Sequence, residues 1–355
     1  MRATGPFATT STEKSVSSIQ DHRPRVCLLA APETSGGLLY GLFDVLLSAG
    51  ASFEELTRGE INTPLLDVQI VAAQAGLFHC FGGVPVQPHA CIDDVHESDV
   101  VVVCDMYLPP DGEPRGLHPR EVAWLRTMHA RGALVAGVCT GALVLAEAGL
   151  LDGCEATAHW AYRDMIRTAY PQVKLREEAI LCLAGDPQRV VTAAGTTAWE
   201  DLALCLIARL AGVEHAIRAA KVHLLASHTE GQLPYAAMTR HIQRSDAVIA
   251  DAQAWIAKHY ANPNPVGCMA RRAGLASRTF TRRFRVATGY RPIDYVHALR
   301  IEEARQLLEL GQASVDEVGV LVGYEDEASF RRLFKRKAGL TPAAYRRKFA
   351  HLGAA

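Results

Sequence analysis

Two groups of residues have types and spacings suited to chemistry. The first is Gly137-Val138-Cys139-Thr140-Gly141, where the apolar run Ala133–Val138 meets the helical pattern Thr140–Ala148. Small residues two before and two after the central one, at a strand-to-helix turn, are the pattern of a nucleophile elbow. The glycines allow the sharp turn, and the central side chain projects beside a helix N-terminus. There the dipole is expected to make the Cys139 thiol more acidic than a free one. His159, in Ala156-Thr157-Ala158-His159-Trp160, is the candidate partner. The second group is cationic: Arg278, Arg282 and Arg285 in one segment, Arg331, Arg332, Lys335 and Arg336 in another. Each segment carries two phenylalanines four apart, Phe280/Phe284 and Phe330/Phe334. On a helix that spacing puts both rings on one face, for a core, and leaves the cations on the other.

These groups need elements to hold them. Arg25–Ala30, Leu66–Ala73, Val100–Cys104 and Ala133–Val138 are continuously apolar, as parallel strands covered on both faces must be. Helical patterns lie between them at Leu38–Ala49, Pro119–Arg131 and Thr140–Ala148. Ala179–Ala184 and Arg189–Ala194 add two strands, and Thr197–Leu210 is a closing helix. This order predicts an α/β N-terminal domain, doubly wound with a mostly parallel sheet. Glu214–Leu225 reads as a helix broken by Gly231-Gln232-Leu233-Pro234, which marks a connector. From Val248 onward there is no convincing strand, only helices punctuated by Gly and Pro. One pattern occurs there twice, over Pro265–Gly289 and Ser314–Gly339: a short apolar helix, a glycine turn at Gly274 or Gly323, then a basic helix. Each copy is a helix-turn-helix, with Ser277 and Asp326 as expected N-caps of the second helices. Pro292–Leu310 is a long helical spacer between them.

Composition bounds the alternatives. The 355-residue chain is 49% hydrophobic and 21% charged, ordinary for a globular protein of two domains. No run of residues is apolar enough for a membrane span. The first 23 residues are rich in Ser and Thr and lack a signal-peptide pattern, and are expected to form a disordered tail. Nine scattered cysteines (27, 80, 91, 104, 139, 154, 182, 205, 268) without a C-x-x-C pair argue against a disulfide framework or zinc site and fit a reducing cytoplasm. The net charge of −1 conceals an asymmetry: residues 248–355 carry a balance of +8 and the remainder −9. A basic end on an acidic body suggests a polyanionic partner.

Thr288-Gly289-Tyr290-Arg291-Pro292, Ala298–Leu308 and Gly323–Arg346 look like the signature segments of the AraC/XylS transcription regulators. The basic region resembles that family over its whole length. The resemblance implies double-stranded DNA as partner, with two recognition helices in successive major-groove segments about one turn, ~34 Å, apart. Matched by position, the base readers are Arg278, Thr281 and Arg282 in the first copy and Glu327, Ala328, Ser329, Arg331 and Arg332 in the second, with Arg285 and Lys335 beside them. For any one Arg, a phosphate contact is as good a reading as a base contact.

The segment around Cys139 and Val190–Leu204 resemble the PfpI-like branch of the class I glutamine amidotransferase-like superfamily, a flavodoxin-like fold. Cys139 stands at its nucleophile position and His159 at its histidine position. The combination resembles the GlxA-type regulators. Family members carry a carboxylate after the first strand; here Leu38 or Leu39 stands there, with Glu33 earlier in the loop. The expectation is therefore a sensor and not an enzyme, with Cys139 and His159 vestigial. A ligand pocket is expected over Glu33, Leu38, Cys139, Thr140 and His159. The implied organisation is a tail over 1–23, a sensor domain over 24–212, a connector over 213–247 and a DNA-binding domain over 248–350. Expected partners are a small-molecule effector and a second copy through the N-terminal domain, with RNA polymerase a further candidate. No cofactor, metal or membrane is expected. The rival readings are a PfpI-like hydrolase, glyoxalase or hydratase fused to a DNA-binding domain, and a redox sensor using Cys139.

Overall fold

The structure, a computed structural model, describes residues 23–238 and 246–349. The expected tail, but for Arg23, and part of the expected connector lie outside the described residues. The first region runs β1 (Arg25–Leu29), α1 (Gly36–Leu47), α2 (Ser52–Arg58), β2 (Asp67–Ala72), β3 (Phe78–His79), β4 (Pro85–Val86), β5 (Ala90–Cys91), β6 (Val100–Val103), α3 (Pro119–Ala130), β7 (Leu134–Val138) and α4 (Gly141–Glu147). It continues through β8 (Glu155–Ala156), α5 (Arg163–Ala169), β9 (Lys174–Leu175), β10 (Leu181–Ala184), β11 (Val190–Ala193), α6 (Trp199–Leu210) and α7 (Val213–His223).

Seven strands form one sheet in the order β10-β11-β7-β6-β1-β2-β5, parallel except for the β10/β11 pair. This is the flavodoxin-like, mostly parallel architecture that the continuous apolar runs predict. Alternation within those runs feeds two layers. Val26, Leu28, Val100, Val102, Ala136 and Val138 pack with Leu residues of α1 and α6. Cys27, Leu29, Val101, Val103 and Val135 pack on the other face with α3 and α4. With both faces covered, the strand interiors are almost wholly apolar, the buried exception being Thr192 of β11, whose hydroxyl accepts from the Thr157 N–H. The elements missed from sequence are short or local: α2, α5 and strands of two residues. They lack the length over which a period can be read.

The strand order reverses between β1 and β6, because α1 carries the chain from β1 to β2 on one side while β6 pairs on the other. Open α/β sheets bind ligands at the carboxyl ends of strands beside such a reversal.

The second region is helical: α8 (Ala247–His259), α9 (Pro265–Arg272), α10 (Ser277–Thr288), α11 (Pro292–Leu310), α12 (Val315–Leu321), α13 (Glu327–Ala338) and α14 (Pro342–Phe349). It holds two small cores. Phe280 and Phe284 anchor one with Ile249, Ile256 and Met269, and Phe330 and Phe334 anchor the other with Val318 and Val322. The long helix α11 is more than a spacer. Its first half gives Tyr295, Val296 and Leu299 to the first core, and its second half gives Ile301, Ala304 and Leu308 to the second. Asp326 caps α13 as expected, accepting from the N–H groups of Ala328 and Ser329. Ser277 does not cap α10: it is the first helical residue, and Ala276 holds the cap position without a side-chain bond. Caps not expected from the sequence include Asp246 on α8, Asn264 on α9 and Ser314 on α12, the last forming a full capping box with Glu317.

Candidate functional site

The elbow forms as the glycine spacing requires. Cys139 has φ +57, a left-handed backbone that non-glycine residues adopt only under constraint. A Cβ at Gly137 would meet the backbone of Gly141 at 2.9 Å, and one at Gly141 would lie 2.4 Å from the Val103 carbonyl oxygen. Only glycine lets α4 start this close to β6. Four strand ends then converge. The Cys139 N–H donates to the Ala193 carbonyl (3.0 Å), the Met106 N–H to Thr140 Oγ1 (2.9 Å), and the Ser35 N–H to Asp105 Oδ1 (3.0 Å).

The thiol does not behave as the elbow alone predicts. Cys139 is 6% exposed, and burial pushes it up to about 12, with Asp105 the second cause. Hydrogen bonds from Thr140 and Thr196 offset only part of this. The expected acidification fails because α4 is seven residues long and almost wholly buried, so desolvation outweighs its dipole.

His159 does not supply a base. Its Nδ1 accepts from the Ala161 N–H (3.1 Å), capping its own turn, which leaves the proton on Nε2. Among the described residues no hydrogen bond joins its ring to Cys139. Burial lowers its pKa and keeps the imidazole neutral. The ring sits between Trp160 (4.9 Å) and Tyr162 (6.0 Å), whose hydroxyl donates to the Leu108 carbonyl (2.7 Å).

A carboxylate from another strand acts on the thiol through its charge. Leu38 and Leu39 are fully buried in the core, so Leu38 offers nothing to a ligand. Asp105, two residues after β6, is itself buried, raised by desolvation, and acts on both Cys139 and Tyr162. An acidic residue directly after the run Val100–Cys104 was the signal available in sequence for it. Thr196 was missed because it lies three residues beyond the end of β11, and nothing in the segment Val190–Leu204 marks one of its residues as facing Cys139. Glu33 faces a cleft of about 170 Å³ with Met106, Tyr107, Leu117, His118 and Glu147. Cys139, Thr140 and His159 are not among the residues that line that cleft. Among the described residues no group of His, Cys, Asp and Glu could hold a metal.

The two basic helices are electrostatically unequal. On α10, Arg278, Arg282 and Arg285 are exposed and have no acidic partner among the described residues. With Thr281 and Arg291 they line an open groove that contains no carboxylate. On α13, Arg331 is paired with Asp316 and lies 3.8 Å from Glu327. Arg332 donates to Ser329 Oγ (3.0 Å) and approaches Asp326 at 3.7 Å. Glu327 and Ala328 are exposed at the start of that helix, and Lys335 is exposed further along. Phe280, Phe284, Phe330 and Phe334 are fully buried.

Residues 269–348 match the helix-turn-helix domain family, and residues 49–209 match the DJ-1/PfpI family. The chain is 30% identical over 282 residues to the HTH-type transcriptional regulator CdhR of Pseudomonas aeruginosa, spanning 77% of this chain and 80% of that one. The chain belongs to the GlxA-type transcription regulators. The regulator is 28% identical over 311 residues to GlxA of Rhizobium meliloti, covering 85% of this chain and 92% of that one. Its DJ-1/PfpI part also resembles isonitrile hydratase of Pseudomonas putida, 32% identical over 197 residues, 54% of this chain and 74% of the hydratase. The regulator is thus a DNA-binding transcription regulator, as the tandem basic helices predict. No single helix among its described residues is long and apolar enough to cross a membrane.

Proposed function

We propose that this regulator binds its operator through α10 and α13 and adjusts that binding to a small effector held at the carboxyl ends of β1, β6, β7 and β11. The observation that carries the sensing reading is the state of Cys139 and His159. A thiol pushed to about 12 and an imidazole whose Nδ1 is already occupied do not make a nucleophile–base pair. Thr140, Thr196, Tyr162 and Asp105 supply hydrogen-bonding groups around the thiol, and no cation among the described residues acts on the sulfur. Arg278, Arg282 and Arg285, which have no ion pair among the described residues, meet DNA first, together with Thr281. Glu327, Ala328, Ser329, Arg331, Arg332 and Lys335 form the second half of the interface, where the arginines exchange carboxylate partners for DNA. The protein acts in the cytoplasm, as a homodimer through its N-terminal domain, with RNA polymerase a candidate contact.

A cysteine hydratase or hydrolase is the second reading. Asp105 beside Cys139 and the similarity to isonitrile hydratase favour it. One experiment separates the two: selection of bound duplex from a random pool, repeated with a metabolite library, beside turnover assays on amide, 2-oxoaldehyde and isocyanide substrates. A metabolite that shifts the DNA affinity without being consumed supports the sensor. Turnover that is lost in Cys139→Ser overturns it.

A further inference from the structure

Between the two regions the chain passes through residues 228–238, and its contacts there are unusually specific. His228 anchors the segment to α6, with Nδ1 2.6 Å from Asp201 Oδ2 and its N–H donating to Oδ1. Gly231, at φ +73, approaches the Glu178 carbonyl so closely that a Cβ would lie 2.3 Å from its oxygen. This delivers Gln232 into the sensor, where it is 3% exposed. Its Oε1 accepts from the Trp160 N–H (3.0 Å), and its Nε2 donates to Thr157 Oγ1 (3.1 Å) and the Ala158 carbonyl (2.9 Å). The Gln232 amide thus holds both sides of the turn that carries His159.

The residues adjoining Gln232 hold the second helix-turn-helix unit. The Leu233 carbonyl accepts from Arg305 (3.0 Å), a buried residue of α11 that also reaches the Lys337 carbonyl at the end of α13. A Cβ on Gly339, the C-cap of α13, would touch Leu233 at 3.2 Å and Pro234 at 3.4 Å. Tyr235 stacks edge-on against Phe349 and lies under Lys348, which pairs with Glu230. Consecutive residues therefore join the two regions: the Gln232 side chain is built into the sensor, and the Leu233 carbonyl shares Arg305 with the carbonyl of Lys337 at the end of the recognition helix.

We propose that Gln232 is a positioning residue that couples the effector site to α13: moving the His159 turn moves Gln232, and with it the Leu233–Pro234 seat of the recognition helix. The proposal rests on the sensor reading and names its route. The amide suits the task because every polar atom of it is engaged, so it cannot lag behind the turn without leaving buried groups unpaired. Coupling is reciprocal, so DNA must act back on the sensor turn even when the effector is unknown.

The test uses the full chain and a duplex selected from a random pool. Hydrogen–deuterium exchange of the peptide spanning 157–163 reports the Trp160 N–H bond to Gln232. The expected result is a change of about fivefold in its exchange rate on saturation with DNA, the scale of ordinary allosteric coupling. In Glu230→Gln with Tyr235→Ala, both at the surface end of the strut, the duplex still binds and the exchange response falls toward none. Gln232→Met, if it folds, abolishes the response as well. An unchanged wild-type exchange rate on a duplex that binds overturns the inference and leaves the sensor reading standing. A response that survives in the Glu230/Tyr235 variant also overturns it. A coupled turn with no metabolite affecting DNA affinity removes the sensor reading instead.

Discussion

The reactivity of Cys139 is the sharpest consequence of the site. A thiol at about 12, against 9.0 for an unperturbed one, has a thiolate fraction about a thousandfold smaller at neutral pH. Thiolate nucleophilicity rises with pKa, with a Brønsted slope of about 0.4–0.5, which returns about twentyfold over the same interval. The net expectation is alkylation about fiftyfold slower than for the same residue in the unfolded chain, before steric protection adds to it. The assay follows the Cys139 peptide by mass spectrometry during iodoacetamide treatment, native beside urea-unfolded, from pH 7 to 10. The native rate should rise close to tenfold per pH unit without a plateau, because the thiol is still titrating above that window. Asp105→Asn removes the second cause of the shift and should accelerate the reaction. A plateau below pH 8, or a native rate within about fivefold of the unfolded one, would refute the reasoning and restore an activated nucleophile.

Gly141→Ala should destabilise the fold by more than the ~1–3 kcal/mol of ordinary overpacking, since its Cβ meets a strand carbonyl at 2.4 Å; the midpoint of urea unfolding measures it. Ser314→Ala removes the capping box of α12 and should cost about 1 kcal/mol in the same assay; an unchanged midpoint would refute a stabilising cap. Arg282→Ala should weaken DNA binding and relax preference at one base pair, by ~1–3 kcal/mol if it grips a guanine edge; uniform loss on all sequences would assign it to phosphate. Arg332→Ala should show a smaller loss, because Asp326 and Ser329 already compete for its guanidinium.

The sequence by itself determined the architecture of both regions. Val100–Val103 is β-branched and apolar throughout, as a parallel strand covered on both faces must be, and the i, i+4 spacing of Phe280/Phe284 and Phe330/Phe334 puts each pair on one helix face toward a core. The glycines at 137 and 141 fixed the elbow, and their role follows from the bulk a side chain would bring to that turn. These are local statements, set by period and backbone sterics, and a single segment contains all the information.

The chemistry of the site was decided by distance across the fold. Whether Cys139 is acidic depends on how much water reaches it and on Asp105, which is 34 residues earlier in sequence and beside it only because β6 and β7 pair. Whether His159 is a base depends on which of its nitrogens the local turn consumes. Arg331 reads as a free cation in sequence and as half of an ion pair once α12 lies against α13. Gln232 had no visible role in a connector, because its partners Thr157, Ala158 and Trp160 are more than 70 residues away. Hydrophobic periodicity is a property of one element, whereas desolvation, ion pairing and tautomer choice are properties of what other elements bring to the same few ångströms.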